Sequence, residues 1–169
     1  MTDRLVTAFA PATVSNVACG FDVLGFPMEE PGDFVTARLI ASGVQIDDIT
    51  GDQGRLPRDP ERNTASVAAR AMLEAAGERR GVALTIRKGL PLASGLGGSA
   101  ASAAAAVVAV NALIGRGASI DTLVRCALEG EVCLQPLLRS HSDYLKACGQ
   151  EWAKLFVDPR NRSDTWRTQ

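Results

Sequence analysis

The amino-terminal half of the chain switches between two hydrophobic periods. Leu5 to Phe9 alternates apolar and polar positions as a half-buried strand does. FVTARLI, Phe34 to Ile40, repeats that alternation with β-branched residues, and Val44 to Ile49 follows closely enough to read as its hairpin partner. The period then lengthens. Asp59-Pro60 breaks the chain, Asn63 or Thr64 offers a capping side chain, and TASVAARAMLEAAG carries a helix that stops at Gly77. VALTIR, Val82 to Arg87, returns to strand character and leads into a glycine-rich loop. A second helix spans about Ser99 to Ile114, and a third begins after Gly115 to Gly117, from about Ile120 to Glu131, with Ser119 or Asp121 as its cap. Strands first and helices interleaved later predict a two-layer α+β domain.

The loop before the second helix is the richest stretch chemically. In PLASGLGGSAASAAAAVVAVNALIG, Pro91 to Gly115, the glycines at 95, 97 and 98 let the backbone take positive φ and come close to a ligand. Ser99 and Ala100 then open a helix whose free N–H groups and dipole attract an anion, so the stretch reads as a phosphate cradle. Glycine turns also precede helices where nothing binds. The alanines that follow give helix propensity with little bulk, so the helix can lie close to the sheet and hold the loop rigidly. The loop is not a Walker motif, because glycine, at Gly98, stands where that motif needs a lysine before the helical hydroxyl.

Composition narrows the functional classes. With 169 residues, one domain is expected, and a formal charge of −1 speaks against a nucleic-acid partner or an anionic membrane surface. The run from Ala100 to Ile114 is interrupted by Ser102 and Asn111 and is shorter than the roughly 20 apolar residues a membrane span requires. The first residues, MTDRLVTAFAPATVSN, lack a basic stretch followed by an apolar signal core, which makes the cytoplasm the expected compartment. Cys19, Cys126, Cys133 and Cys148 form no CxxC pair and His141 is the sole histidine, so neither a zinc site nor a Ser/His/Asp triad is expected.

Two motifs together carry a family resemblance. Pro91, Leu92, Ala93, Ser94, Gly95, Leu96, Gly97, Gly98, Ser99, Ala100 and Ala101 resemble the ATP-binding motif of the GHMP small-molecule kinases. AFAPATVSNVACGFDVLGF, Ala8 to Phe26, resembles the amino-terminal signature of the homoserine kinase branch. The resemblance covers roughly residues 5 to 131 and implies a ribosomal protein S5 domain 2-like fold, ATP and Mg²⁺ as cofactors, and phosphorylation of the L-homoserine side-chain hydroxyl to O-phosphohomoserine in threonine biosynthesis. It allows a homodimer. Asn16 and Asp22 match positions that meet the amino-acid substrate, with an Asx turn and a loop cap as their plain structural readings. Asn63 and Lys88 match positions near the nucleotide base, although Lys88 taken alone reads as a solvated strand end. Ser99 and Glu131 match the oxygen donors that help hold Mg²⁺, and Glu129 is a nearby decoy with the character of an exposed helix end. The resemblance implies no dedicated catalytic base in this branch. The alternatives are a non-catalytic nucleotide-binding remnant and another GHMP kinase such as mevalonate kinase.

After Glu131 the likeness fades. His141-Ser142-Asp143 echoes the H-x-D of an H-x-D-N motif, but Tyr144 stands where asparagine would follow. The expected organisation is therefore a kinase amino-terminal domain over residues 1–131, a divergent tail over 132–169 and no second domain. A frameshift, a short paralogue and a terminal fragment each account for such a tail, and its two tryptophans and basic surplus favour the first. Apolar residues of that tail are expected to pack loosely.

Overall fold

The computed structural model describes residues 4–17 and 20–134, with side chains placed for 4–14 and 25–131. Its elements, in chain order, are β1 (Leu5–Val17), β2 (Gly20–Ile40), β3 (Val44–Thr50), α1 (Thr64–Ala75), β4 (Gly81–Arg87), α2 (Gly98–Ile114) and α3 (Ile120–Leu134). The expected tail lies outside the described residues except where α3 runs on to Leu134.

The strand order departs from the sequence expectation. Val44 to Ile49 is not the hairpin partner of Phe34 to Ile40, because β4 inserts between them to give the order β1-β2-β4-β3. β2 and β4 run antiparallel, with Val35 opposite Ile86, while β3 and β4 run parallel, with Ile46 opposite Leu84. Burial explains the choice. β4 is covered at Gly81 to Leu84 and again at Ile86, so its backbone needs partners on both sides; in β3 only Ile49 is buried, which suits a strand at the edge.

β1 and β2 are both longer than their alternating cores and form an antiparallel ribbon, from Leu5 opposite Arg38 to Val17 opposite Gly20. Pro11 is accommodated because β1 is an edge strand and its register shifts between Pro11 and Thr13. One face of the sheet is apolar, with Val6, Ala8, Val35, Ala37, Val82, Leu84 and Ile86 all buried. The other carries a cross-strand stack in which Phe9 lies 4.8 Å from Phe34 and the Arg87 guanidinium sits 4.1 Å above the Phe34 ring.

The helices cover the apolar face. α2 is buried from Ala101 through Val110 and has no polar side, as befits a helix enclosed all round. It packs on β1 and β2 and is flanked by α1 and α3. Asn63 caps α1 by accepting the Ala65 N–H at 3.0 Å, and Ser119 caps α3 by accepting the Thr122 N–H at 3.2 Å. α3 approaches through Gly130, where a Cβ would stand 2.5 Å from the Thr64 carbonyl oxygen and 3.1 Å from the Ala68 Cβ.

Between β3 and α1 the chain turns around Asp52, which is 5% exposed. Its Oδ1 accepts the Gly54 N–H and its Oδ2 the Leu56 N–H, each at 3.1 Å. Burial opposes its ionisation, but these amide donors and the Arg58 charge prevail and hold its carboxyl below the ordinary value of 3.8.

Two outcomes follow from this packing. Gly130→Ala should lower stability by about 1–3 kcal/mol by overpacking the α1–α3 crossing, measured by urea unfolding. The depressed Asp52 contributes stability that is present above its unfolded value of 3.8 and lost as pH falls through the lower folded value. Asp52→Asn should therefore lower the melting temperature at neutral pH and lose that effect toward about pH 3, and an equal deficit at both pH values would refute the assignment.

Candidate functional site

A cleft of about 480 Å³ opens between the Pro91–Gly97 loop, the start of α2 and the segment leading into α1. Gly97 is the residue that turns the loop into the helix. It adopts φ 70°, ψ 29°, and a Cβ there would lie 2.5 Å from the Thr13 Oγ1. Thr13 also donates its N–H to the Leu96 carbonyl at 3.1 Å, which fastens the loop to β1. Being glycine, the Gly97 cap supplies no side chain to the first turn of α2. Ala101 is the first residue to close a helical bond, onto the Gly97 carbonyl at 2.8 Å, so the amides of Gly98, Ser99 and Ala100 have no intrahelical acceptor. Such a turn favours an anion, and the buried helix behind it prevents it from moving.

Beneath the loop lies a buried polar network. Asp33, at the end of the β2 core, has no solvent exposure. Its Oδ1 accepts the N–H groups of Gly89 and Leu90 at 3.0 and 3.1 Å, and its Oδ2 accepts the Ser102 hydroxyl at 2.7 Å and the Lys88 ammonium. Lys88 donates further to the Gly98 carbonyl at 2.6 Å and to the Ser102 Oγ at 2.8 Å. Lys88 is thus not a solvated strand end. Its side chain is 2% exposed, and its ammonium is directed at these three oxygens.

Glu131 approaches the same helix start from α3. The Ser99 hydroxyl and the Lys88 charge favour its ionised form, while its Oε1 is buried with no hydrogen-bond partner among the described residues. Burial outweighs both and pushes the Glu131 carboxyl above its ordinary value. Glu129 is exposed and lines a separate depression with Arg70 and Arg125. Among the described residues, no three His, Cys, Asp or Glu side chains group as a metal cluster.

The structure therefore brings together most of the residues singled out from sequence. Pro91 to Gly95, Gly97, Gly98, Ser99, Lys88 and Asn63 all line the cleft. Leu96 instead packs toward the core, Ala101 is buried in it and Ala100 is partly buried against it. Asn63 has both ends of its amide engaged, its Oδ1 with Ala65 and its Nδ2 with the Pro57 carbonyl at 3.0 Å. Asn16 and Asp22 lie on the backbone of β1 and β2, not in a turn or loop, toward the far end of the ribbon; their side chains fall outside the described residues.

Sequence reasoning missed several wall residues. Arg55, Leu56 and Pro57 come from the Asp52 turn, and Arg62 and Thr64 from the α1 entry. The sequence marks Asp33 and Ser102 singly and not as a pair: Ser102 interrupts a mostly apolar helix, and Asp33 directly precedes the alternating stretch Phe34 to Ile40. No helix among the described residues is long and apolar enough to cross a membrane.

Comparison with known proteins agrees with this geometry. The family model for the GHMP kinases N terminal domain matches residues 63–148. The homoserine kinase of Chlorobium phaeobacteroides (strain BS1) is 51% identical, over 76% of this chain and 43% of its own length. That of Xanthomonas campestris pv. campestris (strain B100) is 50% identical, over 76% of this chain and 40% of its own length. The crystal structure of homoserine kinase from Cytophaga hutchinsonii superposes with a TM-score of 0.75 at 47% identity, covering 79% of this chain and 43% of that one. Mevalonate kinase from L. major, in complex with R-mevalonate, shares the fold at a TM-score of 0.58 with 18% identity over 76% of this chain and 42% of its own. The chain thus spans less than half the length of the relatives it matches. Since the matched family model takes in the α1 cap, the glycine loop and all of α3, and so the greater part of the cleft, the chain belongs to the GHMP kinases.

Proposed function

We propose that this chain is the nucleotide-binding portion of a homoserine kinase, an enzyme that transfers the γ-phosphoryl group of ATP to the side-chain hydroxyl of L-homoserine. The observation that carries the reading is the juxtaposition at the start of α2: uncapped amides at Gly98 to Ala100 beside a Ser99–Glu131 pair with one unsatisfied carboxylate oxygen. The homoserine branch is favoured over the mevalonate branch because the relatives near 50% identity are homoserine kinases, whereas mevalonate kinase is alike at the level of fold.

In this reading the loop amides orient the polyphosphate, and the Leu56, Pro57 and Ile86 side chains offer an apolar wall to the base. Ser99 and Glu131 suit Mg²⁺, which takes hard oxygen ligands from one or two protein groups and completes its shell with phosphate and water. The buried, unpartnered Glu131 Oε1 is the feature that fits a cation. Bound there, Mg²⁺ would neutralise charge on the β- and γ-phosphates. Phosphoryl transfer passes through a loose transition state, so positioning and electrostatic stabilisation by these groups suffice without a strong base. Asn16 and Asp22 are assigned to the amino acid: a carboxylate can pair with its ammonium and an amide can bond its carboxylate or hydroxyl. Residues 1–131 form the ATP-binding domain, the rest of the relatives' length supplies the closure over substrate, and the cytoplasm is the compartment.

Titration with Mg²⁺-ATP should show saturable binding by the chain. Gly97→Val should abolish it, since the side chain would meet Thr13 and force out the positive φ, while far-ultraviolet dichroism stays unchanged; retained affinity would exclude the loop as the phosphate site. Glu131→Gln should bind ATP alone about as well as wild type yet lose about tenfold of the enhancement by Mg²⁺, roughly one charge-assisted contact; full enhancement in that variant would remove Glu131 from the metal site. Joined to the carboxy-terminal half of a homoserine kinase relative, the chain should phosphorylate L-homoserine and leave mevalonate almost untouched. The reverse preference would sink the substrate assignment.

A further inference from the structure

We infer that Asp33, Lys88 and Ser102 act as a positioning clamp that holds both ends of the glycine loop in its binding shape before any nucleotide arrives. The inference rests on the nucleotide reading of the cleft and gives Lys88 and Ser102, which border the cleft, and Asp33, which lies beneath it, a role in shaping the loop.

The argument lies in where the network sends its hydrogen bonds. Asp33 is on β2, and it directs Oδ1 at the N–H groups of Gly89 and Leu90, where the chain leaves β4 and enters the loop. Its Oδ2 meets Lys88 and Ser102, and Lys88 reaches the Gly98 carbonyl, where the loop ends and α2 begins. One buried carboxylate therefore ties the loop's entrance to its exit, 10 residues apart along the chain between Lys88 and Gly98. A third attachment, Thr13 N–H to Leu96 carbonyl at 3.1 Å, fixes the middle.

A fold that needed only stability would not require this arrangement. Replacing a buried ion pair by well-packed apolar residues is often neutral or stabilising, whereas fixing one geometry is a service apolar contacts perform poorly. The loop has much to lose from slackness. Ala93 holds φ 60°, a conformation that a loop free to relax would leave. An anion site made of backbone amides gains affinity from being shaped in advance, because ordering nine or so loop residues on binding would consume much of the interaction energy. Ser102 completes the clamp by bridging: its hydroxyl donates to Asp33 Oδ2 and accepts from Lys88.

Ser102→Ala is the informative variant, since alanine is the stronger helix former and the neighbours at 101 and 103 are already alanine. Amide hydrogen exchange without ligand, followed residue by residue, should speed up across Gly89 to Ser99 and stay unchanged in α1 and β4. The Kd for Mg²⁺-ATP should rise about tenfold, the factor equal to one charge-assisted hydrogen bond, with the melting temperature close to wild type. Lys88→Met, which keeps the stem but leaves Asp33 without its charge partner, should speed loop exchange more strongly and also lower the melting temperature. Loop exchange equal to wild type in Ser102→Ala, or acceleration spread evenly over the whole chain, would overturn the clamp. A wild-type chain that fails to bind Mg²⁺-ATP would instead remove the nucleotide reading, and the ligand-free exchange would still decide whether the loop is held as inferred.

Discussion

A carboxylate without solvent exposure sits where β2, the end of β4, the glycine loop and α2 meet. Asp33 is tolerated there because its acceptors are matched by the Lys88 ammonium, the Ser102 hydroxyl and the Gly89 and Leu90 amides. Breaking a buried pair of this kind by removing one charge typically costs about 3–5 kcal/mol, a large share of the roughly 5–15 kcal/mol that holds a domain together. The sheet, the loop and the central helix are therefore interdependent at this point: shifting any one of them by an ångström strands a charge in the interior.

The central helix sets the spacing around that junction. α2 touches sheet on one side and helices on the others, and from Ala101 to Val110 its side chains are alanine or valine except at Ser102. Small side chains let the sheet and both other helices approach it closely, and close packing of this sort transmits position from the core to the helix start. The same economy recurs at Gly130, where α3 comes against Thr64, Ala68 and Ala103. That contact is what brings Glu131 near Ser99, so a glycine chosen for space places an acidic side chain beside the start of α2.

Charge in the cleft is divided between groups that are satisfied and groups that are not. Asp33, Lys88 and Asn63 have their polar atoms engaged within the fold. The first amides of α2 have no side-chain cap, and the Glu131 Oε1 has no partner among the described residues. This division separates scaffold from working surface: groups already paired hold shape, and those left unpaired by the fold are the ones a phosphate or a cation would complete.

Local chemistry was legible in the amino-acid sequence. The alternation in Phe34 to Ile40, the Asn63 and Ser119 caps, the Gly115 stop and the glycine–serine opening of α2 all depend on residues within a few positions of one another, so periodicity and turn preference suffice to read them. The motif from Pro91 to Ala101 likewise carried the family, because backbone that must approach an anion leaves its glycines in fixed places. What the tertiary structure decided was partnership across distance. Strand order turned on β4 needing two neighbours, a matter of total burial that no local window reports. Lys88, which alone reads as an exposed strand end, is buried because Asp33, 55 positions earlier, waits beneath it. The Asp52 turn forms one wall of the cleft for a similar reason: its place depends on where β3 lies in the sheet, and long-range packing fixed that.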